Sequence, residues 1–298
     1  AGFRETHPQI ILGLPIGGLI IVFLYHYLKN DRGTNVVLSA IHSEQLIPGR
    51  MAPLIFISTV ISHFFGASVG REGAALQLGG SISAQLGKLM HVNKEDRHIV
   101  IMCGMSAGFS AIFGTPMASA IFAMEVISVG IMHYSALVPC VFASLIAHTL
   151  SRACGVVGES FRVPIIPEFT LVYLFKMIFM AILFGALSII FCFMLHTAAK
   201  LYTRFFKNPY IRITVASLII ILLTAVLHTS DYMGAGTNIL EATFSEGADP
   251  WDFFFKMVFT SLALAAGFKG GEIVPSFFIG ATFGCVVGPL VGLPAQLS

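Results

Sequence analysis

Apolar residues form long stretches along this chain, and short polar or glycine-rich segments separate them. Stretches of this length and composition predict membrane helices. We place these helices at residues 8–28, 51–68, 73–90, 98–128, 131–151, 169–200, 211–228, 253–266 and 272–290, the last with glycines at positions 280, 284 and 288. Gly114 and Pro116 interrupt the stretch at 98–128, which therefore predicts two half-helices. The helix at 51–68 is short for a complete membrane span.

The composition supports the same class of protein. Of the 298 residues, 56% are hydrophobic and only 11% are charged, which is about half the charged fraction of a soluble domain. We therefore predict an all-α polytopic protein of the cell inner membrane or plasma membrane. The net charge of +2 is too small to indicate nucleic acid. The cysteines and histidines lack metal-site spacing, and we expect neither a metal nor a cofactor.

A glycine-rich segment, Gly66 to Gly73, interrupts the apolar sequence and carries Arg71 and Glu72 side by side. Glycines allow the helix to break here and to restart at Gly73. The first N–H groups of the restarted helix attract anions. A carboxylate at the same place can compete with an anion or carry a proton. The segment predicts an anion site gated by Glu72, and the alternative is an ion pair with Arg71 that ties two helices together.

A second segment, Gly267 to Pro275, resembles the first in its glycines, basic residue and glutamate. Matching broken helices in two halves of a membrane chain are typical of transporters built from inverted repeats. We predict one transport domain over residues 1–298, with repeats at about 8–152 and 167–298. Glu272 is either a second gate or a carboxylate that satisfies first-turn N–H groups. Lys269 either attracts anions or pairs with Glu272.

Two threonines and one acidic segment complete the candidate features. Thr34 opens a short segment, where it serves either as an anion ligand or as an ordinary N-cap. Thr260 precedes the second break, and its hydroxyl either lines a cavity or bonds to its own helix. By the positive-inside rule the basic connector at 200–212 is cytoplasmic, and the acidic loop at 231–252 lies outside.

A different interpretation starts from Gly66, Ser68 and Gly70, which match the G-x-S-x-G pattern of hydrolase nucleophile elbows, with His63 nearby. That pattern requires a turn from a strand into a helix. Both flanks here are apolar and of helix length, so an intramembrane serine hydrolase remains a remote alternative, and we expect no enzyme.

Three ordered motifs resemble those of one family. Gly70-Arg71-Glu72-Gly73 resembles the helix-opening motif of the CLC superfamily of anion channels and anion/proton exchangers. The segment from Gly104 to Pro116 resembles its next motif, and Gly270 to Pro275 resembles its second helix opening. The resemblance implies a CLC-like inverted repeat with broken helices, arranged as a homodimer with one pathway per subunit.

Details of these motifs favour the fluoride/proton branch. Chloride members usually have proline where this chain has Ala74, and a Gly-Ser-Gly-Ile-Pro loop where it has Gly33-Thr34-Asn35. Val126 occupies the place of the inner proton-relay glutamate, and the run Gly267 to Glu272 is typical of the fluoride branch. The resemblance implies fluoride export in exchange for protons, with Glu72 as gate and proton carrier. A chloride-type exchanger or a passive anion channel of the same fold is the alternative.

The broken helices and the resemblance together predict the residues around the anion. These candidates are Gly33, Thr34, Asn35, Gly70, Arg71, Gly73, Ala74, Thr260, Gly271, Glu272, Ile273 and Val274. The expected partners are fluoride or chloride, protons and the lipid bilayer. The family core continues for several helices beyond a helix like that at 272–290, so we expect this sequence to lack the C-terminal helices and its second repeat to be incomplete.

Overall fold

The computed structural model describes residues 7–28, 47–93, 96–127, 132–156, 158, 170–245 and 247–295. These residues form helices joined by short connectors. The helices are α1 (Leu14–Tyr27), α2 (Met51–Phe64), α3 (Glu72–Leu89), α4 (Arg97–Phe113), α5 (Pro116–Glu125), α6 (Leu137–Ala153), α7 (Leu171–Phe205), α8 (Pro209–Leu227), α9 (Thr237–Ser245), α10 (Asp252–Ala266) and α11 (Ile273–Val291). Short 3-10 turns at Pro8–Gly13 and Tyr134–Ala136 precede α1 and α6.

Most predicted helices are confirmed, and one loop prediction is wrong. The interruption at Gly114 and Pro116 separates α4 from α5, because Gly114 adopts a left-handed conformation with a φ of 72°. The acidic segment at 231–252 contains α9, which we had predicted as loop. α9 is short and amphipathic, and its apolar side chains include the buried Leu240.

Five segments of the described chain are long and apolar enough to cross a membrane. They are Gln9–Tyr27, Tyr134–Ala153, Leu171–Phe205, Pro209–Leu227 and Ile273–Val291. α2 and α4 are also apolar but shorter. Short helices next to a chain break are typical of transporters, in which the break rather than a complete span lies at membrane depth.

The chain divides into two compact units, which we call the first unit and the second unit. The first unit contains Ala1–Phe23, Val60–Gly70 and Phe161–Ser298, and the second contains Leu24–Thr59 and Arg71–Ser160. In the first unit α10 is the central helix, which packs against α7, α8 and α11. Its apolar core includes Leu187, Phe191, Met257 and Ile279.

The second unit packs α3 against α4, and α4 against α5 and α6. α3 and α4 approach closely at Gly79, which has no side chain. A Cβ atom there would collide with the carbonyl oxygen of Gly104. Small residues allow this kind of contact between membrane helices. Hydroxyls then bond across the α4–α6 interface: Ser106 Oγ donates to the Cys140 carbonyl at 3.0 Å and Ser110 Oγ to the Ser144 carbonyl at 2.8 Å.

Candidate functional site

The helices that precede the two breaks, α2 and α10, end in the same way. Gly66 follows α2 with a φ of 89°, and Gly267 follows α10 with a φ of 114°. Ala67 N–H donates to the Ser62 carbonyl at 2.9 Å, and the equivalent bond after Gly267 is 3.2 Å long. This pattern is a Schellman-type helix end, in which glycine accommodates the left-handed turn. The two breaks therefore begin with the same backbone geometry.

Two backbone hydrogen bonds join the breaks inside the first unit. Gly70 N–H donates to the Gly271 carbonyl at 2.6 Å, and Gly271 N–H donates to the Gly70 carbonyl at 2.7 Å. Together they form an isolated antiparallel bridge. Gly70 and Gly271 each lie four residues after the glycine that ends the preceding helix. Non-helical backbone inside a membrane must find such partners, and the bridge supplies them.

Hydroxyl groups reinforce the same junction. Ser68 Oγ and Thr260 Oγ1 lie 3.0 Å apart, at hydrogen-bond distance. Ser62 Oγ accepts a hydrogen bond from the Lys269 backbone N–H at 3.0 Å. Ser62, Ser68 and Thr260 are all completely buried. Of the two alternatives for Thr260, the hydroxyl bonds across to the first break and not to its own helix.

The helices restart at equivalent positions. Arg71 is the N-cap of α3, with φ −98° and ψ −11°, and Glu272 is the N-cap of α11, with φ −94° and ψ −8°. Neither side chain makes a capping hydrogen bond. Glu72 and Ile273 are then the first helical residues. By position, the counterpart of Glu72 in the second break is therefore Ile273 and not Glu272.

Glu72 is the buried acid of the first break. Its exposed fraction is 0%, whereas the Arg71 side chain is 50% exposed. Arg71 Nε lies 3.9 Å from Glu72 Oε1, which is within ion-pair distance but too long for a hydrogen bond. Burial disfavours a charged carboxylate, and the N-terminus of α3 favours one.

Glu272 has a different environment. Its side chain is exposed and makes no bond to the first-turn N–H groups of α11. Of the two alternatives for Glu272, the structure does not show the capping of first-turn N–H groups. Val274, in the same turn, is 1% exposed. The α11 N-terminus thus presents apolar side chains and backbone amides, and its carboxylate lies outside the buried part of the break.

The remaining predicted residues divide into three groups. Gly70 and Gly271 are brought together by the bridge, and Thr260 is brought to Ser68. Gly73 and Ala74 lie partly buried in the first turn of α3. The last group lies outside the described residues and consists of Gly33, Thr34 and Asn35.

The environment of Ser68 does not match a nucleophile elbow. Ser68 follows helix α2 and not a strand, and among the described residues the only isolated strand-like pairing is the Gly70–Gly271 bridge. The Ser68 hydroxyl bonds to Thr260, so its polar partner is another hydroxyl. The local structure that the hydrolase alternative requires is therefore lacking.

Sequence reasoning missed the structural roles of two serines. Ser62 joins α2 to the second break, and Ser68 joins the first break to α10. The available signal was their position, because a serine inside an apolar helix or at its end must find a hydrogen-bond partner when buried.

The sequence was then compared with known families. The model described as voltage gated chloride channel matches residues 17–297. The chain belongs to this family, the CLC proteins. It is 38% identical to a chloride/fluoride channel protein of Pseudomonas syringae pv. tomato, over 98% of this chain and 67% of that relative. It is 25% identical to the H(+)/Cl(−) exchange transporter ClcA of Yersinia pestis, over 80% of this chain and 52% of the relative.

Solved CLC structures have the same fold. A CLC-type fluoride/proton antiporter matches with a TM-score of 0.95 and 36% identity, over 99% of this chain and 76% of that one. A slow cyanobacterial Cl⁻/H⁺ antiporter matches with a TM-score of 0.73 at 18% identity, which shows the fold alone. The predicted all-α CLC-like fold is confirmed, and the chain is a multi-pass membrane protein. It spans about half the length of the Yersinia transporter.

Proposed function

We propose that this CLC protein exports fluoride in exchange for protons, with Glu72 as the gate and proton carrier. The observation that carries the proposal is a completely buried carboxyl group at the first position of α3, directly after a helix break. An ionisable group at membrane depth is costly and usually functional. The similarity to proteins named for fluoride transport supports fluoride as the anion.

In the proposed cycle Glu72 alternates between two states. As an anion it occupies the N-terminus of α3, where the helix dipole stabilises negative charge. When fluoride enters, Glu72 takes a proton and its side chain moves aside. Fluoride and the Glu72 carboxylate thus occupy the same position alternately. Each exchange moves one proton together with the Glu72 side chain. A single side chain thereby couples the two fluxes.

Fluoride is small and strongly hydrated, so its site must replace water with several hydrogen-bond donors. Helix geometry leaves the first N–H groups of a helix without an acceptor inside that helix. The α3 opening offers the N–H groups of Gly73 and Ala74 as candidate donors. The α11 opening offers those of Ile273 and Val274, and the Thr260 hydroxyl is a further candidate. Gly33, Thr34, Asn35, Gly70, Arg71, Gly271 and Glu272 remain candidate residues of the pathway.

Chloride exchange or passive anion conduction is the second candidate. The similarity to the Yersinia H(+)/Cl(−) exchange transporter favours it. Efflux from proteoliposomes loaded with fluoride or with chloride separates the candidates. We expect fluoride to leave much faster than chloride. Equal rates for the two anions would contradict fluoride selectivity and would favour the second candidate.

The experiment that tests the mechanism replaces Glu72 with Gln and measures proton uptake driven by an outward fluoride gradient. Glutamine keeps the shape of the side chain and removes its titration. We expect Glu72→Gln to abolish proton uptake, with Glu241→Gln, an exposed glutamate of α9, as the matched control that leaves uptake unchanged. Full proton uptake by Glu72→Gln would refute Glu72 as the carrier.

The oligomeric state of the protein and the membrane in which it lies are also proposed here. We infer a homodimer in the cell inner membrane or plasma membrane. Apolar side chains of α6 and α7, among them Phe142, Ile146, Phe175 and Phe193, are exposed and suit lipid or a second copy of the chain. Mass measurement of the protein in lipid nanodiscs distinguishes a monomer from a dimer.

A further inference from the structure

Lys256 of α10 is a completely buried lysine that the mechanism above does not use. Its exposed fraction is 0%, and it is among the largest fully buried side chains of the described chain. Burying an ammonium group is costly unless other groups replace its water. The groups that contact the Lys256 ammonium therefore indicate how its burial is stabilised.

Electron-rich groups surround the ammonium. Lys256 Nζ donates to the Gly234 carbonyl at 2.8 Å and to the Tyr232 carbonyl at 3.1 Å. It also lies 5.1 Å from the centre of the Phe278 ring, within the range of a cation–π interaction. Phe278 is itself completely buried. Two carbonyl dipoles and an aromatic face thus take the place of solvent around one positive charge.

An acid of α10 also binds the connector that runs from Tyr232 to Gly236 and joins α8 to α9. Asp252 lies one turn before Lys256, and its carboxylate accepts the Tyr232 hydroxyl at 2.8 Å and the Asp249 N–H at 3.0 Å. Burial, and then the hydrogen bond to Asp252, raise the pKa of Tyr232, so this phenol stays neutral. The connector is thus held at two points, by a carboxylate and by an ammonium.

The residues that contact Lys256 are themselves connected to both breaks. Gly234 N–H lies 3.4 Å from the carbonyl of Gly66, the glycine with which the first break begins. Phe278 belongs to α11, the helix that opens at the second break. Gly236 must remain small, because a Cβ atom there would lie 2.8 Å from the Phe278 ring and 3.1 Å from Lys256 Nζ. The ammonium therefore sits where the connector, the first break and α11 meet.

Lys256 is also one helical turn from the hydroxyl pair. Residues four apart on a helix share a face, so Lys256 and Thr260 lie on the same side of α10. Thr260 bonds to Ser68 of the first break. The ammonium reaches the first break through Gly234, which contacts Gly66, two residues before Ser68. Charge interactions are weakly screened in a buried setting.

We propose that Lys256 is a positioning residue for anion transport. It holds the connector from Tyr232 to Gly236 against the first break, and its charge favours an anion near the Ser68–Thr260 pair. The inference rests on the proposed function, because it requires an anion to enter the break. It adds a fixed positive charge to a site whose other candidate donors are backbone amides and hydroxyls.

The test compares Lys256→Met, which keeps the unbranched shape, with Lys256→Arg, which keeps the charge. Fluoride efflux from proteoliposomes is measured against fluoride concentration, which separates KM from the maximal rate. We expect Lys256→Met to raise KM roughly tenfold, the scale of losing one buried unit charge near an anion. Lys256→Arg should recover most of that loss.

Lys176→Met is the matched control. Lys176 also donates to a backbone carbonyl, that of Gly292, at 2.9 Å. It caps the far end of α11, away from the helix opening at Ile273. Its removal should leave KM within twofold of the native value. A structural role alone would lower the amount of active protein for Lys256→Met and leave KM unchanged, and that result would overturn the proposal.

If Lys256→Met does not fold, Lys256→Gln replaces it in the test. The glutamine amide can still donate to a carbonyl but carries no charge. An increased KM supports the proposal, whereas a native KM, or failure of this variant to fold as well, overturns it. The native protein is measured first. If it moves no fluoride, the proposed function fails, and if native and variants transport with equal KM, only the inference on Lys256 fails.

Discussion

The two breaks share a backbone and differ in their side chains. Both begin at a glycine with positive φ, both reach the glycine bridge four residues later, and both restart a helix after an N-cap of nearly equal φ and ψ. At the first helical position, however, one has the buried Glu72 and the other has Ile273. The same backbone geometry therefore carries a buried acid at one break and an apolar side chain at the other.

This comparison shows why the two glutamates are not equivalent. Glu72 follows its N-cap, points away from solvent and is completely buried, whereas Glu272 is itself the N-cap and is exposed. A difference of one residue at a helix opening turns the side chain by about 100° around the axis. That rotation separates a buried position from an exposed one.

The largest expected effect sharpens this distinction. Glu72→Gln should lower fluoride-driven proton flux by at least about 100-fold, the scale of losing a group that carries the transferred proton. Glu272→Gln should lower it less than about tenfold, because an exposed N-cap carboxylate is solvated in both states. Proton uptake by proteoliposomes measures both variants. If Glu272→Gln causes the larger loss, the two breaks have the reverse roles.

A second prediction tests the close contact between the breaks. A Cβ atom on Gly270 would lie 2.5 Å from Val69 Cβ and 2.7 Å from the Gly70 carbonyl oxygen. Gly270→Ala should therefore lower the free energy of unfolding by about 1–3 kcal/mol through overpacking. Thermal unfolding in detergent provides the measurement. Gly280→Ala is the control, because nothing lies within 4 Å of its added Cβ. Equal melting temperatures for both variants would count against the bridge geometry.

The third prediction concerns the helix ends that the breaks share. Gly66→Ala and Gly267→Ala each force a Cβ into a left-handed conformation, which costs about 1–2 kcal/mol. We expect similar losses of thermal stability at the two positions, because their backbone geometry is the same. Gly185→Ala, inside α7 with open space around it, should instead raise stability by about 0.5–1 kcal/mol. A loss at only one break would show that the two ends are not equivalent.

The smallest expected effect belongs to the hydroxyl pair. Thr260→Val and Ser68→Ala should each cost about 1 kcal/mol of stability, the usual net value of one hydrogen bond. The double variant should cost less than the sum of the two, because the first substitution already removes the bond. Chemical unfolding of all four proteins completes this double-mutant cycle. Strict additivity would mean that the two hydroxyls do not interact.

The sequence predicted the helices and the breaks well because their signals are local. Apolar runs located the helices that cross the membrane, and the glycines at Gly66 and Gly267 marked where α2 and α10 end. α9 was missed because it is only nine residues long and lies within an acidic segment. Glu72 was singled out as an acid within apolar sequence, and the structure buries it completely. Its role as a gate stays a prediction.

The sequence by itself determined which segments enter the membrane, where they break and which acid stands at a helix opening, because hydropathy and glycine act through neighbouring residues. Only the tertiary structure decided that Gly70 pairs with Gly271, that Ser68 meets Thr260 and that Lys256 is buried. The Gly70–Gly271 and Ser68–Thr260 contacts join residues about 200 positions apart in the chain. Hydrogen bonds between such distant groups depend on how the helices pack, and no local pattern of residues encodes that packing.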